Sequence, residues 1–417
     1  MKNNIQPEIR FPSFSERWEQ KKIGDFYTFK NGLNKEKEFF GSGTPIVNFT
    51  DVFHNRRIFF EQLKGKVQLS TKEIQNYNVK QGDIFFTRTS ETINEIGLPS
   101  VMINDAIDTV FSGFVLRGRA IEEDPLTLDF KSYVFFTASF REEMKTKSSM
   151  TTRALTSGTA IKEMFFNFPE NKEEQMKIGK FFRDLDDTIS LHQQELEALK
   201  QTKQGFLQKM FPQNGESVPQ FRFNGFTEKW NEEKLANLAD FSKGSGYSKG
   251  DLITEGTPIL LYGQLYTNYK SIISSVSSYV SEKEKSVISA GNEVVVPASG
   301  ESSEDIARAS AITVPGIIIG GDLNIIRPTN KVEPIFLALA LSNGKVQREL
   351  SKFAQGKSVV HLQNSEIKKV QLLFPEIEEQ IKIGEFFRQL DEVIELKEKE
   401  LEALKETKKG FLQKMFV

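Results

Sequence analysis

Cysteine is absent from the 417 residues, and histidine occurs three times, as His54, His192 and His361. The first absence removes disulfide frameworks, thiol nucleophiles and thiolate zinc sites, and it fits a reducing cytoplasm. The second argues against a histidine-based catalytic or metal cluster. No run of about 18 apolar residues occurs, and Met1 to Phe11 is polar with no apolar signal core, so a cytoplasmic chain that meets no membrane is expected. There is no phosphate loop of the G-x-x-x-x-G-K-[ST] type, no H-E-x-x-H zinc pair and no Asn-Pro-Pro-Tyr amino-methyltransferase motif. The nearest carboxylate pairs, Asp186-Asp187 and Glu122-Glu123, read as solvated charge. Surplus basic charge is missing too: 55 Lys+Arg stand against 57 Asp+Glu, unlike the strongly basic balance of many nucleic-acid binders. A nucleic-acid face would have to come from local patches or from a partner.

What the chain does have is apolar material, 38% hydrophobic and 11% aromatic with 36 Phe, enough for real cores in a chain of two-domain length. It also repeats itself. Pro7-Glu8-Ile9-Arg10-Phe11-Pro12-Ser13-Phe14-Ser15-Glu16-Arg17-Trp18 returns 212 residues later as Pro219-Gln220-Phe221-Arg222-Phe223-Asn224-Gly225-Phe226-Thr227-Glu228-Lys229-Trp230. This pair holds both Trp residues, which are expected to close the core of each domain. Leu196–Phe211 and Leu401–Phe416 agree at 14 of 16 positions. Between these anchors the halves diverge, apart from echoes such as Gly43-Thr44-Pro45-Ile46 with Gly256-Thr257-Pro258-Ile259. Apolar runs such as Ile84-Phe85-Phe86 and Val294-Val295-Val296 among Gly and Ser-Thr turns predict strands in an α/β domain. The reading is one fold used twice with two different surfaces.

Each half ends at a proline, Phe168-Pro169-Glu170 and Phe374-Pro375-Glu376, followed by a charged turn that suits a helix start. Apolar positions then recur at 3-4 spacing: Phe182, Leu185, Ile189, Leu196, Leu199, Phe206 and Met210, and again Phe387, Leu390, Ile394, Leu401, Leu404, Phe411 and Met415. His192, Lys203, Lys397 and Lys408 fall on the same seams, either fixing register or lying at an exposed edge. Glu174 to Met210 would span roughly 55 Å as a helix. Two such helices, one after each domain, predict an antiparallel coiled-coil pair with the domains in pseudo-two-fold arrangement. The boundaries expected are 1–170 for the first domain, 171–211 for the first helix, 212–374 for the second domain and 375–417 for the second helix.

The two Pro-Glu-x-x-Glu-Gln-type helix starts carry a resemblance. So do Ile178-Gly179-Lys180-Phe181-Phe182-Arg183 with Leu185-Asp186, Ile383-Gly384-Glu385-Phe386-Phe387-Arg388 with Leu390-Asp391, and the Phe-Leu-Gln-Lys-Met-Phe ends. Over essentially its whole length the chain resembles the specificity subunit of type I restriction-modification systems, with two target-recognition domains and two spacer helices. The resemblance implies a non-catalytic subunit that reads a bipartite, asymmetric site in double-stranded DNA, one half per domain. It implies docking of two modification (methyltransferase) subunits and two restriction (motor-nuclease) subunits. It places S-adenosylmethionine, ATP and Mg in those partners, with no cofactor or metal in this chain.

Base reading needs side chains with fixed donor and acceptor patterns, and phosphate contact needs cationic or amide donors. In domain one the polar candidates are Arg88, Thr89, Ser90, Glu91, Thr152, Arg153, Thr156 and Ser157, with Arg88 and Arg153 the best placed for guanine. In domain two they are Ser248, Lys249, Tyr262, Ser299, Glu301, Lys357, Ser358, His361 and Gln363. Lys243-Gly244-Ser245-Gly246-Tyr247 reads as a flexible recognition loop. A solvated or structural role competes at every one of these positions. Two rival readings stand beside DNA recognition, a coiled-coil adaptor between two protein partners and an enzyme in its own right.

Overall fold

The computed structural model describes residues 6–213, 215–267, 269–354, 356 and 359–417. It is a mixed α/β chain that divides into two compact units. One takes Met1–Gln193 with Glu400–Val417, and the other takes Gln194–Lys399.

In the first unit a five-stranded sheet runs in the order Tyr27–Asn31, Val115–Ala120, Ile84–Thr87, Pro99–Met102, Arg57–Ile58. Neighbours are antiparallel except at the last pair, which is parallel. Every residue of Ile84–Thr87 is buried, as a continuous apolar run requires when both faces of a sheet are covered. Glu19–Lys22 pairs with Phe165–Phe168 and so ties the start of the domain to its end. The core beneath holds Trp18, Phe86, Phe130, Phe135 and Phe166.

The second unit repeats the plan. Its sheet runs Ala239–Lys243, Leu323–Pro328, Glu293–Pro297, Ser310–Ile312, Ile272–Ile273 with the same sequence of polarities. Asn231–Lys234 pairs with Gln371–Phe374. Even an ion pair recurs at equivalent strand positions, Asp83 with Arg119 at 2.5 Å and Glu293 with Arg327 at 3.4 Å. Trp18 and Trp230 are both buried, in the cores of their respective units.

Gly244 corrects one expectation. A Cβ there would run into the Gly320 carbonyl, and the adjacent Ser245 bridges to Gly320. The segment is a close backbone crossing, not a flexible loop. Gly32, 212 residues earlier, presses on the Ser112 carbonyl in the same way.

Lys172–Lys209 and Ile377–Lys414 are α-helices of 38 residues each. Buried side chains at their starts explain the repeated Glu-Gln. Arg10 donates to Glu174 at 2.6 and 2.8 Å, and Trp18 Nε1 adds a third bond at 3.3 Å. Gln175 accepts from the Thr127 N–H at 2.8 Å and donates to the carbonyls of Pro125 and Pro169 at 2.9 and 2.8 Å. The second copy matches: Arg222 holds Glu379, and Gln380 bonds the Glu333 N–H and the carbonyls of Lys331 and Pro375. Each helix start is thereby clamped to its own domain.

The unit boundary crosses both helices, so each unit packs the early half of one helix with the late half of the other. In the first unit Phe416 sits among Trp18, Phe130 and Phe182, at ring distances of 6.0, 5.4 and 5.6 Å. In the second, Phe211 meets Trp230 and Phe336 at 6.2 and 5.6 Å. Met415-Phe416 thus join the core of a domain distant in sequence, while Met210-Phe211 join the core of the domain that follows them directly.

All fourteen apolar seam residues are buried or half-buried. The polar seam residues are half-buried as well, and each faces a carboxylate of the other helix. Lys408 pairs with Asp186 and His192 with Glu400 in the first unit. Lys203 pairs with Asp391 and Lys397 with Glu195 in the second. Within each unit the partner number falls as the residue number rises, so the helix segments run antiparallel. Asp186 is thus no solvated charge: it takes Lys408 and the Tyr133 hydroxyl, the latter at 2.8 Å. Burial, first of all, and the Asp186 charge push the Tyr133 phenol well up.

Candidate nucleic-acid interface

In the first unit the chain leaves the core after Thr87 and enters a small three-stranded sheet of Ser149–Met150, Ala154–Leu155 and Thr89–Ser90. The pairing of Leu155 with Thr89 and Ala154 with Ser90 brings Arg88–Glu91 beside Thr152–Arg153. Backbone bonds fix the geometry, from the Arg88 N–H to the Phe114 carbonyl at 3.0 Å and from the Thr156 N–H to the Arg88 carbonyl at 3.1 Å.

The eight candidates here divide by what they touch. Ser90 and Thr156 are buried, Ser90 accepting from the Thr92 N–H at 3.2 Å and Thr156 lying against Met144 sulfur at 3.7 Å. Ser157 caps the helix Gly158–Lys162 through the Ala160 N–H. These three hold the structure. Glu91, Thr152 and Arg153 are exposed, while Arg88 and Thr89 are half-buried. Arg153 reaches Glu91 at 3.1 Å with both side chains mostly in solvent. Such a pair contributes at most about 1 kcal/mol, so a stronger anionic ligand can take the guanidinium from it.

The second unit has the equivalent strand pair, Ser299–Gly300 with Val360–His361, which sets Ser299 opposite His361. Tyr266 donates to the Ser299 carbonyl at 2.7 Å, and the exposed Tyr262 packs its ring 6.2 Å from that of Tyr266. Exposed Glu301 follows the strand. Gln363 accepts from Lys243 Nζ at 2.7 Å and caps the helix Asn364–Ile367. Ser299, Glu301, His361, Gln363 and Tyr262 therefore converge on one strand pair and its flanks. Ser248 and Lys249 belong elsewhere in the unit: Ser248 forms a capping box with Asp251, whose carboxylate takes Lys283 at 2.7 Å. Lys357 and Ser358 lie outside the described residues. At the position equivalent to Arg88 the second unit has buried Ala298, so the two surfaces differ in charge at this point.

Sequence reading missed apolar members of this surface. Phe114, Met150 and Leu155 are exposed around Arg88. Phe114 follows Ser112-Gly113 and reads as the start of a buried strand; only the turn that precedes Val115 places its ring outside. The pairing of Lys243 with Gln363 is not legible in the sequence because 120 residues separate the two.

Two stretches of the chain, 15–201 and 227–406, match the family model described as the type I restriction modification DNA specificity domain. The chain belongs to the type I specificity family. Among curated members the type I restriction enzyme MjaVIII specificity subunit of Methanocaldococcus jannaschii is 22% identical over 415 residues, covering 95% of this chain and 91% of the relative. Among solved structures, that of a type I restriction-modification system S subunit from M. genitalium aligns over 99% of both chains with TM-score 0.63 at 15% identity. A further chain, from a study of complex assembly and conformational transition of the type I system, aligns over 96% of this chain and 97% of its own with TM-score 0.54 and 15% identity. The two structural likenesses concern the fold. Both domain copies of the type I specificity family are thus present here, and the small strand pair lies inside each matched stretch. Among the described residues no group of acidic or histidine side chains is arranged to hold a metal ion, and no helix is long and apolar enough to cross a membrane.

Proposed function

We propose that this chain is a non-catalytic DNA-reading subunit that binds a two-part, asymmetric site, one half per domain. One observation carries the reading: the same sheet, clamps and strand pair occur twice, while the side chains they present differ. Arg88, Glu91, Thr152 and Arg153 flank the first pair, and Ser299, Glu301, His361 and Gln363 the second. A shared frame with unlike polar faces is what reading two different base sequences demands. Phe114, Met150 and Leu155 add the apolar contact that a thymine methyl accepts.

The long helices support docking of two modification subunits. Leu191 and Leu396 stand at equivalent positions and are 65% and 56% exposed, and Met176 and Ile381 form a second matched exposed pair. Outward apolar residues repeated at the same helix positions suit two copies of one partner. Two restriction subunits complete the assembly in this reading, and S-adenosylmethionine, ATP and Mg act in the partners. Mobility of the complex, formed with its modification subunits, on duplex DNA tests the proposal. Sequence-dependent retardation that falls steeply with salt is expected; no retardation would leave the protein-adaptor reading in its place.

A further inference from the structure

Within the first unit lies a cavity of about 420 Å³ bordered by Arg56, Phe136 and residues of both long helices. Phe136, Ile189 and Leu412 supply apolar lining, and Lys405, Lys408 and Lys409 bring positive charge, with the Asp186 carboxylate beside them. Two of the cations are compensated, Lys408 by Asp186 and Lys409 by Glu406 at 3.3 Å. Arg56 and Lys405 form no ion pair among the described residues. The Arg56 guanidinium lies over the Phe136 ring, 3.6 Å from its centroid, and its Nη1 has no hydrogen-bond partner among the described groups. Burial draws this guanidinium below its usual range, with Asp186 opposing. Asp186 also borders the cavity and its charge acts on Arg56, but its carboxylate is already engaged by Lys408 and Tyr133, and a buried guanidinium donor left without a partner calls for an explanation.

The second unit shows that the surplus is not inherent in the fold. There Ser271 precedes the strand Ile272–Ile273 as Arg56 precedes Arg57–Ile58, and Ser271 donates to Asp391 at 2.8 Å. The repeated helices supply the same Asp and Lys in both units. Arg56 is an addition made by the first domain alone.

We infer that this cavity binds a small organic phosphate from solution, with the phosphoryl group on Arg56 and Lys405 and an apolar body against Phe136, Ile189 and Leu412. Two cations that form no ion pair of their own, Arg56 and Lys405, match a phosphate monoester, which carries about −1.5 to −2 at neutral pH; a single carboxylate would engage one. The volume equals that of roughly fourteen waters, too much for a bare ion and within the range of small-ligand pockets. A planar guanidinium held by stacking is suited to two-point contact with phosphoryl oxygens.

The test is calorimetric titration of the chain assembled with its modification subunits, using phenyl phosphate, adenosine monophosphate, inorganic phosphate and benzoate as probes. At least one organic phosphate should bind about tenfold more tightly than inorganic phosphate and benzoate. Arg56→Met, similar in length, and Lys405→Ala, on an exposed side chain, should each weaken it about tenfold while the DNA methylation pattern stays as it is. No binding of either organic phosphate at millimolar concentration would overturn the inference. So would binding that both variants leave unchanged, the sign of an adventitious ion only, or equal binding of benzoate. Binding to the free chain that vanishes on assembly would also overturn it, because the cavity would then belong to a partner's side chain.

Discussion

Truncating Phe416 should destabilise the first unit and leave the second nearly untouched, although the residue lies at the far end of the second helix. Phe416 is 5% exposed and its ring contacts Trp18, Phe130 and Phe182. Removing a buried Phe ring typically costs about 3–5 kcal/mol through lost transfer energy and the cavity left behind. With a urea dependence of about 2 kcal/mol per molar, Phe416→Ala should lower the unfolding midpoint of that unit by about 2 M. The two tryptophans give the assay, because Trp18 belongs to one core and Trp230 to the other. Trp230 Nε1 has no hydrogen-bond partner among the described groups, so Trp230→Phe loses no bond and leaves Trp18 fluorescence as the reporter of the first unit. Trp18→Phe gives the converse reporter, at the loss of one bond to Glu174. Phe211→Ala should reverse the pattern, moving the Trp230 transition. A Trp18 midpoint displaced by less than about 0.5 M in Phe416→Ala would refute the packing argument.

Gln175→Leu leaves the Thr127 N–H and two carbonyls without their bonds, and should cost about 3 kcal/mol in thermal or urea unfolding, as should Gln380→Leu. A double-mutant cycle of Lys408→Met with Asp186→Asn should return a coupling of about 1 kcal/mol or more, and Lys203 with Asp391 the same; a coupling near zero would make these pairs ornamental. Arg88→Ala and Arg153→Ala, assembled with modification subunits, should relax base preference in one half of the methylated motif by about 1–3 kcal/mol and spare the other half. The Asp251 carboxylate is held down to about 2, first by Lys283 and then by Ser248. Its stabilising contacts are therefore complete above the ordinary carboxylate range and disappear as pH falls towards 2, so amide-exchange protection around Ser248–Leu252 should persist at pH 4, and Asp251→Asn should abolish that pH dependence.

Local periodicity made much of this fold legible. The duplication and the 3-4 spacing of Phe182 to Met210 are statements about neighbours along the chain, and a helix preserves such neighbours. Contacts between residues far apart in sequence were not legible. Asp186 and Asp391 sit one position beyond the seam residues Leu185 and Leu390, so spacing alone marks them as outward charge, and only the opposing Lys408 and Lys203 bring them in. Glu174 and Glu379 read as helix-start charge because Arg10 and Arg222 are more than 150 residues away. The polar candidates rest on residue type alone. Ser90, Thr156 and Ser157 share their types with reading residues, but their hydroxyls are committed to local bonds that depend on the strand pairing. Phe114, Met150 and Leu155 are not legible as surface residues because apolar type predicts burial, and an exposed rim residue violates that rule.

The central claim, that the two unlike strand-pair surfaces read two unlike half-sites, is tested most directly by single-molecule methylation sequencing. The DNA comes from cells expressing this chain with its modification subunits, and the control lacks the chain. The account predicts a new two-part motif with N6-methyladenine in each half, and Arg153→Ala should alter one half alone. An assembled complex that produces no new motif would contradict it.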